Sequence, residues 1–260
     1  MNDIIKVFKD LLKPLKIETV VVYADLMHAF PLLGKSKSEM LRNHITLIGD
    51  VFACPIWMPT FTFSTIKTNV YDIKTTPSEL GLLNEYFRNE IALWRSSHPI
   101  FSYAGTGVIP EMEIKPGLIE PYGSLSMFEK MNVPNFYLLQ YGCRNGVQRK
   151  FLLNYIEWLA SVPYRKKKDF DVDIIVGAEK IRCRSFYYVN HELKGVQKHR
   201  NIFEELKQEG LLIEFPSKQV QIEIIDIYST IEYLLVKLKK NPFHLITDEY
   251  MDFLRNESYV

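Results

Sequence analysis

Three short apolar runs, TVVVYADL (19–26), PIWMPTFTF (55–63) and FYLLQYG (136–142), constrain the fold of this chain more than any other feature. All are rich in β-branched or aromatic residues and read as strands, the first and last of them buried. Between them the apolar residues recur at helical spacing. Residues 2–13 place Ile4, Ile5, Phe8, Leu11 and Leu12 on one face and stop at Pro14, and residues 37–53 do the same with Met40, Leu41, Ile45 and Ile48. ELGLLNEYFRNEIALW (79–94) follows Ser78, a fair N-cap, and carries the stripe Leu82, Leu83, Tyr86 and Phe87. Pro59 cannot donate to a ladder, so it marks the end of a strand rather than its centre. Strands and helices that interleave in this way predict an α/β domain, a mixed central sheet flanked by helices.

The remaining segments fit that plan. Residues 65–77 have no strong period, 109–123 hold three prolines and read as loop, and SLSMFEKMN (124–132) reads as a short helix. A long helix is predicted over RKFLLNYIEWLASV, ended by Pro163, and a hairpin over DVDIIVGAEKIRCRSFYYV with Gly177 in its turn. From His199 onward, helical and strand patterns alternate and close on the helix STIEYLLVKLKK, a C-terminal α+β extension. There is no internal repeat, low-complexity tract or clear linker, so one domain over 1–260 is expected, long enough to bury a substantial core.

Composition excludes several classes. A net charge of +1 argues against a general nucleic-acid binder. Cys54, Cys143 and Cys183 are widely spaced and form no CxxC pair, which suggests neither zinc nor a disulfide framework and points to a reducing, cytoplasmic setting. No apolar run approaches the ~18 residues of a membrane span, and the amphipathic N-terminus is no signal peptide. Nucleotide-binding glycine motifs, HExxH and GxSxG are absent, and the six histidines show no metal-ligand spacing.

Two places have a composition suited to chemistry. In WRSSHPIFSYAGTG (94–107), a cation, two hydroxyls and an imidazole (Arg95, Ser96, Ser97, His98) fall on one connection between elements. The plainer reading is a polar turn. Asn154 and Glu157, three apart, share one face of the 149–162 helix, just past an apolar strand. Arg165, Lys166, Lys167 and Lys168 form the most basic run, either a solvated patch or a grip for a phosphorylated ligand.

The order YADL (23–26), WMPTFTFS (57–64), TPSELGLLNEYFR (76–88) and RSSHP (95–99) resembles the aminoglycoside 3-N-acetyltransferase family. YGSLSMFEKM (122–131), FYLLQYG, LLNYIE and the VPYR that follows extend the resemblance over roughly residues 20–170. It implies the antibiotic N-acetyltransferase fold, distinct from the more common GNAT fold, and acyl transfer from acetyl-coenzyme A or a longer acyl-coenzyme A to an amino group of a sugar. Residues Tyr23, Ala24, Asp25, Leu26, Arg95, Ser96 and Ser97 would then meet the coenzyme. Thr60, Glu85, Arg165 and Lys166 would meet the acceptor, and Asn154, Glu157 and His98 would border the reaction.

One departure stands out. The histidine that the family carries three residues before the glutamate is Asn154 here, and an amide is no base near neutral pH. The chain is then a His-to-Asn knock-out, a member in which water or another residue takes the proton, or a non-catalytic coenzyme- or ligand-binding module. Through members that act in surface-polysaccharide synthesis, the resemblance implies a nucleotide-linked amino-dideoxy sugar as acceptor, and the basic run and near-neutral charge lean that way, with antibiotic acetylation as the alternative and a homodimer as the expected assembly.

Overall fold

The computed structural model describes residues 2–112, 114–143, 149–193, 197–217 and 219–260. Its first half contains α1 (Asn2–Leu12), β1 (Thr19–Ala24), α2 (Lys37–Phe52), β2 (Ile56–Pro59), α3 (Thr65–Thr68) and β3 (Val70–Asp72). These are followed by α4 (Leu82–Glu90), β4 (Trp94–Arg95), β5 (Tyr103–Gly105), β6 (Gly117–Ile119) and α5 (Met127–Met131). The second half holds β7 (Phe136–Tyr141), α6 (Arg149–Leu159), β8 (Arg165–Val176), β9 (Glu179–Asn190), α7 (Phe203–Gln208) and β10 (Leu212–Glu214). β11 (Ile222–Asp226), α8 (Ile227–Lys240) and α9 (Asp248–Asn256) close the chain.

The three apolar runs are the three central strands of a seven-stranded mixed sheet ordered β10-β11-β7-β1-β2-β5-β4. β1 pairs in parallel with both β2 and β7, and antiparallel strands extend the sheet on either flank. Every residue of β1 is buried, because its two faces serve two cores. Val20 and Val22 pack with α1, α2 and α4, whereas Val21 and Tyr23 pack with α5, α6, α8 and α9. Pro59 ends β2, as its missing donor requires. Gly142, at φ +76°, is fixed by contact: a Cβ there would fall 2.0 Å from the Asp25 carbonyl oxygen.

A second sheet, β3-β8-β9-β6, stands on the α6 side, with a small core of Tyr71, Val172, Ile174 and Cys183. Here the sequence reading needs correction. The aperiodic 65–77 segment contains α3 and β3, and β3 pairs in parallel with β8. The loop at 109–123 carries β6. The hairpin starts six residues earlier than its apolar pattern, so the basic run is the first part of β8, paired with Asn190 to Tyr187 of β9. Ser78 does not cap α4, which begins after Gly81; Ser78 N–H instead donates to the Glu85 carboxylate at 2.7 Å. Among the described residues no helix is long and apolar enough to cross a membrane.

Candidate active site

The RSSHP turn is held from every side. β4 pairs Trp94 and Arg95 with Gly105 and Ala104 of β5, so residues 96–102 form a closed loop. Arg95 donates from Nε to Thr60 Oγ1 (3.1 Å), from Nη1 to the carbonyls of Ile73 and Thr76 (3.1 and 2.5 Å), and from Nη2 to the Thr60 carbonyl (2.9 Å). Arg95 and Thr60, read from the sequence as coenzyme and acceptor contacts, therefore bind each other, and little of the guanidinium is left for a ligand. Ser96 Oγ accepts the Tyr103 N–H at 2.8 Å, and its carbonyl accepts the Tyr71 hydroxyl at 2.9 Å.

His98 is buried and its ring is fully engaged. Nδ1 accepts the backbone N–H groups of Ile100 (3.2 Å) and Phe101 (2.9 Å), which fixes the proton on Nε2. Nε2 then donates to Ser185 Oγ on β9 at 3.2 Å, and that hydroxyl donates to the Ile119 carbonyl at 2.7 Å. Burial lowers the His98 pKa to about 3. A neutral imidazole without a free lone pair is a strut, not a base. Beside it, Ser96, Ser97 and His98 wall a cleft of about 280 Å³, closed opposite by Lys115, Glu120 and Ser126. Ser126 Oγ also caps α5 by accepting the Glu129 N–H.

A different cluster forms where α6 meets the second sheet. Glu157 is fully buried, yet its carboxylate is ringed by donors. Tyr164 Oη donates to Oε1 at 2.7 Å, His199 Nε2 lies 3.0 Å from the same oxygen, and Arg165 Nη2 lies 2.6 Å from Oε2 at an angle poor for a hydrogen bond. Arg165 Nη2 also donates to Asn154 Oδ1 at 2.5 Å, and Nη1 to the Tyr188 carbonyl at 2.8 Å. Burial pushes the Glu157 carboxyl up, but the Arg165 charge and the His199 and Tyr164 hydrogen bonds outweigh it and hold the group below its ordinary value. Beside that negative charge, and buried, the Tyr164 hydroxyl is held in its protonated form.

His199 Nε2 thus lies between an ionised carboxylate, which can only accept, and the Arg165 guanidinium 3.2 Å away, which can only donate. Among the described residues none is hydrogen-bonded to His199 Nδ1. The His199 side chain is 11% exposed, enough for one edge of the ring to reach solvent. Tyr122 connects this cluster to the cleft: its phenol faces Asn154 and Arg165, and its neighbour Gly123 lines the cleft.

The structure thus joins Asn154, Glu157 and Arg165 in one cluster, and puts Ser96, Ser97 and His98 on one wall. The other candidates lie apart. Tyr23 bonds Tyr103 through their hydroxyls at 2.7 Å and stacks on Phe151 of α6. Ala24 is buried at the end of β1, Asp25 accepts the Met27 N–H, and Leu26 opens the short turn that follows. Glu85 holds Arg88 through Oε1 at 2.6 Å and Oε2 at 2.8 Å. Lys166 is exposed on β8. The sequence reading missed Tyr164, Tyr188 and His199. Tyr164 was within reach, since it directly precedes Arg165 in VPYR, but nothing in the spacing of His199 ties it to a glutamate 42 residues earlier.

Comparison with known proteins bears on this geometry. The family profile described as aminoglycoside 3-N-acetyltransferase matches residues 55–236. Among solved structures, aminoglycoside acetyltransferase AAC(3)-Xa superposes with a TM-score of 0.70 at 18% identity, covering 93% of each chain. A variant of AAC(3)-IVa in complex with a gentamicin superposes with a TM-score of 0.66 at 18% identity, covering 92% of this chain and 89% of that one. AAC-IIIb in its binary complex with CoASH gives 0.66 at 14% identity, over 91% and 96%. No curated protein sequence matches the chain.

Proposed function

From the premise that the chain belongs to the aminoglycoside 3-N-acetyltransferase family, we propose that it transfers an acetyl group from acetyl-coenzyme A to an amino group of an aminoglycoside. One juxtaposition carries this reading. β9 ties Ser185 to His98 at the cleft and, three residues on, the Tyr188 carbonyl to Arg165 at the Glu157 cluster. Three strand residues span about 10 Å. A thioester delivered along the hydroxyl-lined cleft then ends near a buried, ionised carboxylate that carries an imidazole. Acyl transfer to nitrogen needs that pairing: a neutral amine with a proton acceptor, and donors for the oxygen of the tetrahedral intermediate. Ser96 and Ser97 face the coenzyme in this reading, and Glu157 orients the groups around the amine.

A second acceptor class, a nucleotide-linked amino sugar, is favoured by one observation. Lys166, Lys167 and Lys168 are all exposed at the start of β8, next to Arg165, where a diphosphate would be held by charge. Thiol release from acetyl-coenzyme A separates the two. Release with gentamicin but not with a dTDP-linked amino sugar supports the main reading, and the reverse replaces it. Silence with both classes overturns acyl transfer to sugars.

A further inference from the structure

Building on acyl transfer at this site, we infer that His199 is the catalytic base of this chain, doing from a different segment what Asn154 cannot. The carboxylate that would orient a base is occupied: Glu157 Oε1 lies 3.0 Å from His199 Nε2, nearer than Arg165 Nη2 at 3.2 Å, and in this assignment it accepts the ring N–H. Nδ1 then presents its lone pair, and the ring keeps one edge in solvent. The same cluster reaches Asn154. Arg165 Nη2 lies 3.2 Å from His199 Nε2 and donates to Asn154 Oδ1, so imidazole and amide flank one guanidinium.

The charged and titratable neighbours pull both ways, and the Tyr164 hydroxyl donates to the same Glu157 oxygen. From α6 comes Glu157; from β8, Arg165; from β9, Tyr188; from α9, Tyr250; and beside the ring in sequence, Lys198. Arg165 opposes a second positive charge, and Glu157 supports one, so the pair can pass a proton without stranding a buried charge. The step balances. The sugar amine, unprotonated, attacks the thioester carbonyl as His199 Nδ1 takes an amine proton. The C–N bond forms, the C–S bond breaks, and the imidazolium returns the proton to the leaving thiolate. The products are an N-acetyl sugar and free coenzyme thiol.

Neither His98 nor His244 offers this. His98 has no free lone pair, and His244, although 2.8 Å from Glu205, stands on the α7–α8 side of the molecule. The test is thiol release by the full chain, measured from pH 5 to 9 with acetyl-coenzyme A and gentamicin. For His199→Gln and His199→Asn, kcat should fall about 10²–10⁴-fold, the acid limb of the profile should vanish, and KM for acetyl-coenzyme A should stay within threefold. His244→Gln should keep turnover within twofold. Thermal melting with and without coenzyme shows that each variant is folded; should the glutamine variant not fold, the asparagine variant decides. Activity within threefold of the unaltered chain, or a deep loss that keeps the acid limb, overturns the assignment of His199 alone. An unaltered chain that releases no thiol with any amine overturns the acyl-transfer reading together with it.

Discussion

The RSSHP turn and the Glu157 cluster are built from the same kinds of residue, a cation, an imidazole and hydroxyls, and yet they differ in what is left over. In the turn, Arg95 is bound to Thr60 and to backbone carbonyls, and both His98 nitrogens are engaged. In the cluster, three donor groups converge on one carboxylate, and His199 Nδ1 has no hydrogen-bond partner among the described residues. Composition marks both as sites; hydrogen-bond accounting separates scaffold from chemistry. The turn shapes the cleft, while in the inferred mechanism the cluster moves the proton.

The largest expected effect comes from taking the cation out of the cluster. Arg165→Met leaves the buried Glu157 carboxylate without its counter-charge, and breaking such a pair costs about 3–5 kcal/mol. The sign with pH is specific. In the unaltered chain Glu157 titrates below 4.5, so its stabilisation is present above that value and disappears as the pH falls through the folded pKa. In the variant, burial without the cation raises the group, so the deficit is greatest at neutral pH and shrinks on acidification. Urea unfolding at pH 7.5 and pH 5 reads both; an equal deficit at the two values contradicts the charge argument.

His98→Leu should come next. It strands the buried N–H groups of Ile100 and Phe101 and takes one partner from the Ser185 hydroxyl, which still donates to the Ile119 carbonyl, a loss of roughly 2 kcal/mol or more. His98 stays neutral in the fold down to about 3, whereas in the unfolded chain it takes a proton near 6.5. Its contribution is therefore complete above 6.5 and is lost as the pH falls from there to about 3. Melting temperature against pH should be flatter for the variant across that window. A steeper dependence would mean that His98 is charged in the fold and that the turn is not the inert partner in this comparison.

Asn154→His probes the contrast from the other side. With His199 already supplying the base, a second imidazole should change kcat by less than tenfold. A disabled enzyme regaining its base would instead rise by about 10²–10⁴-fold. Stopped-flow turnover with acetyl-coenzyme A and gentamicin distinguishes the two.

How much of this was legible in the sequence follows from the length and regularity of each piece. β1, β2 and β7 were visible because buried parallel strands read as apolar runs. β3, β4 and β6 have two or three residues each and carry no period. The start of β8 was hidden because Lys166 to Asp169 are all exposed, so no alternation marks it; β9 and α6 supply the apolar side, with Lys167 over Trp158 of α6 and Phe186 of β9, and Lys168 over Tyr187 of β9. Asn154 and Glu157 were legible as one helix face. His199 was not, since its meeting with Glu157 depends on tertiary packing across 42 residues.

Those lysines give the smallest and most discriminating prediction. Lys166→Glu with Lys168→Glu alters exposed side chains, so stability should move by no more than about 0.5 kcal/mol. Ion pairs between exposed groups contribute little, and Lys168 gives up its contact with the Tyr187 ring. The consequence for the acceptor depends on its charge. A polycationic aminoglycoside meets less repulsion, so its KM should stay the same or fall slightly, more so at low salt. A nucleotide diphosphate loses two charge-assisted contacts, and its KM should rise by tenfold or more with kcat unchanged. Measuring KM for both acceptors in 50 mM and 300 mM salt therefore asks whether the basic strand end belongs to the scaffold, as the RSSHP turn does, or to the working part of the molecule.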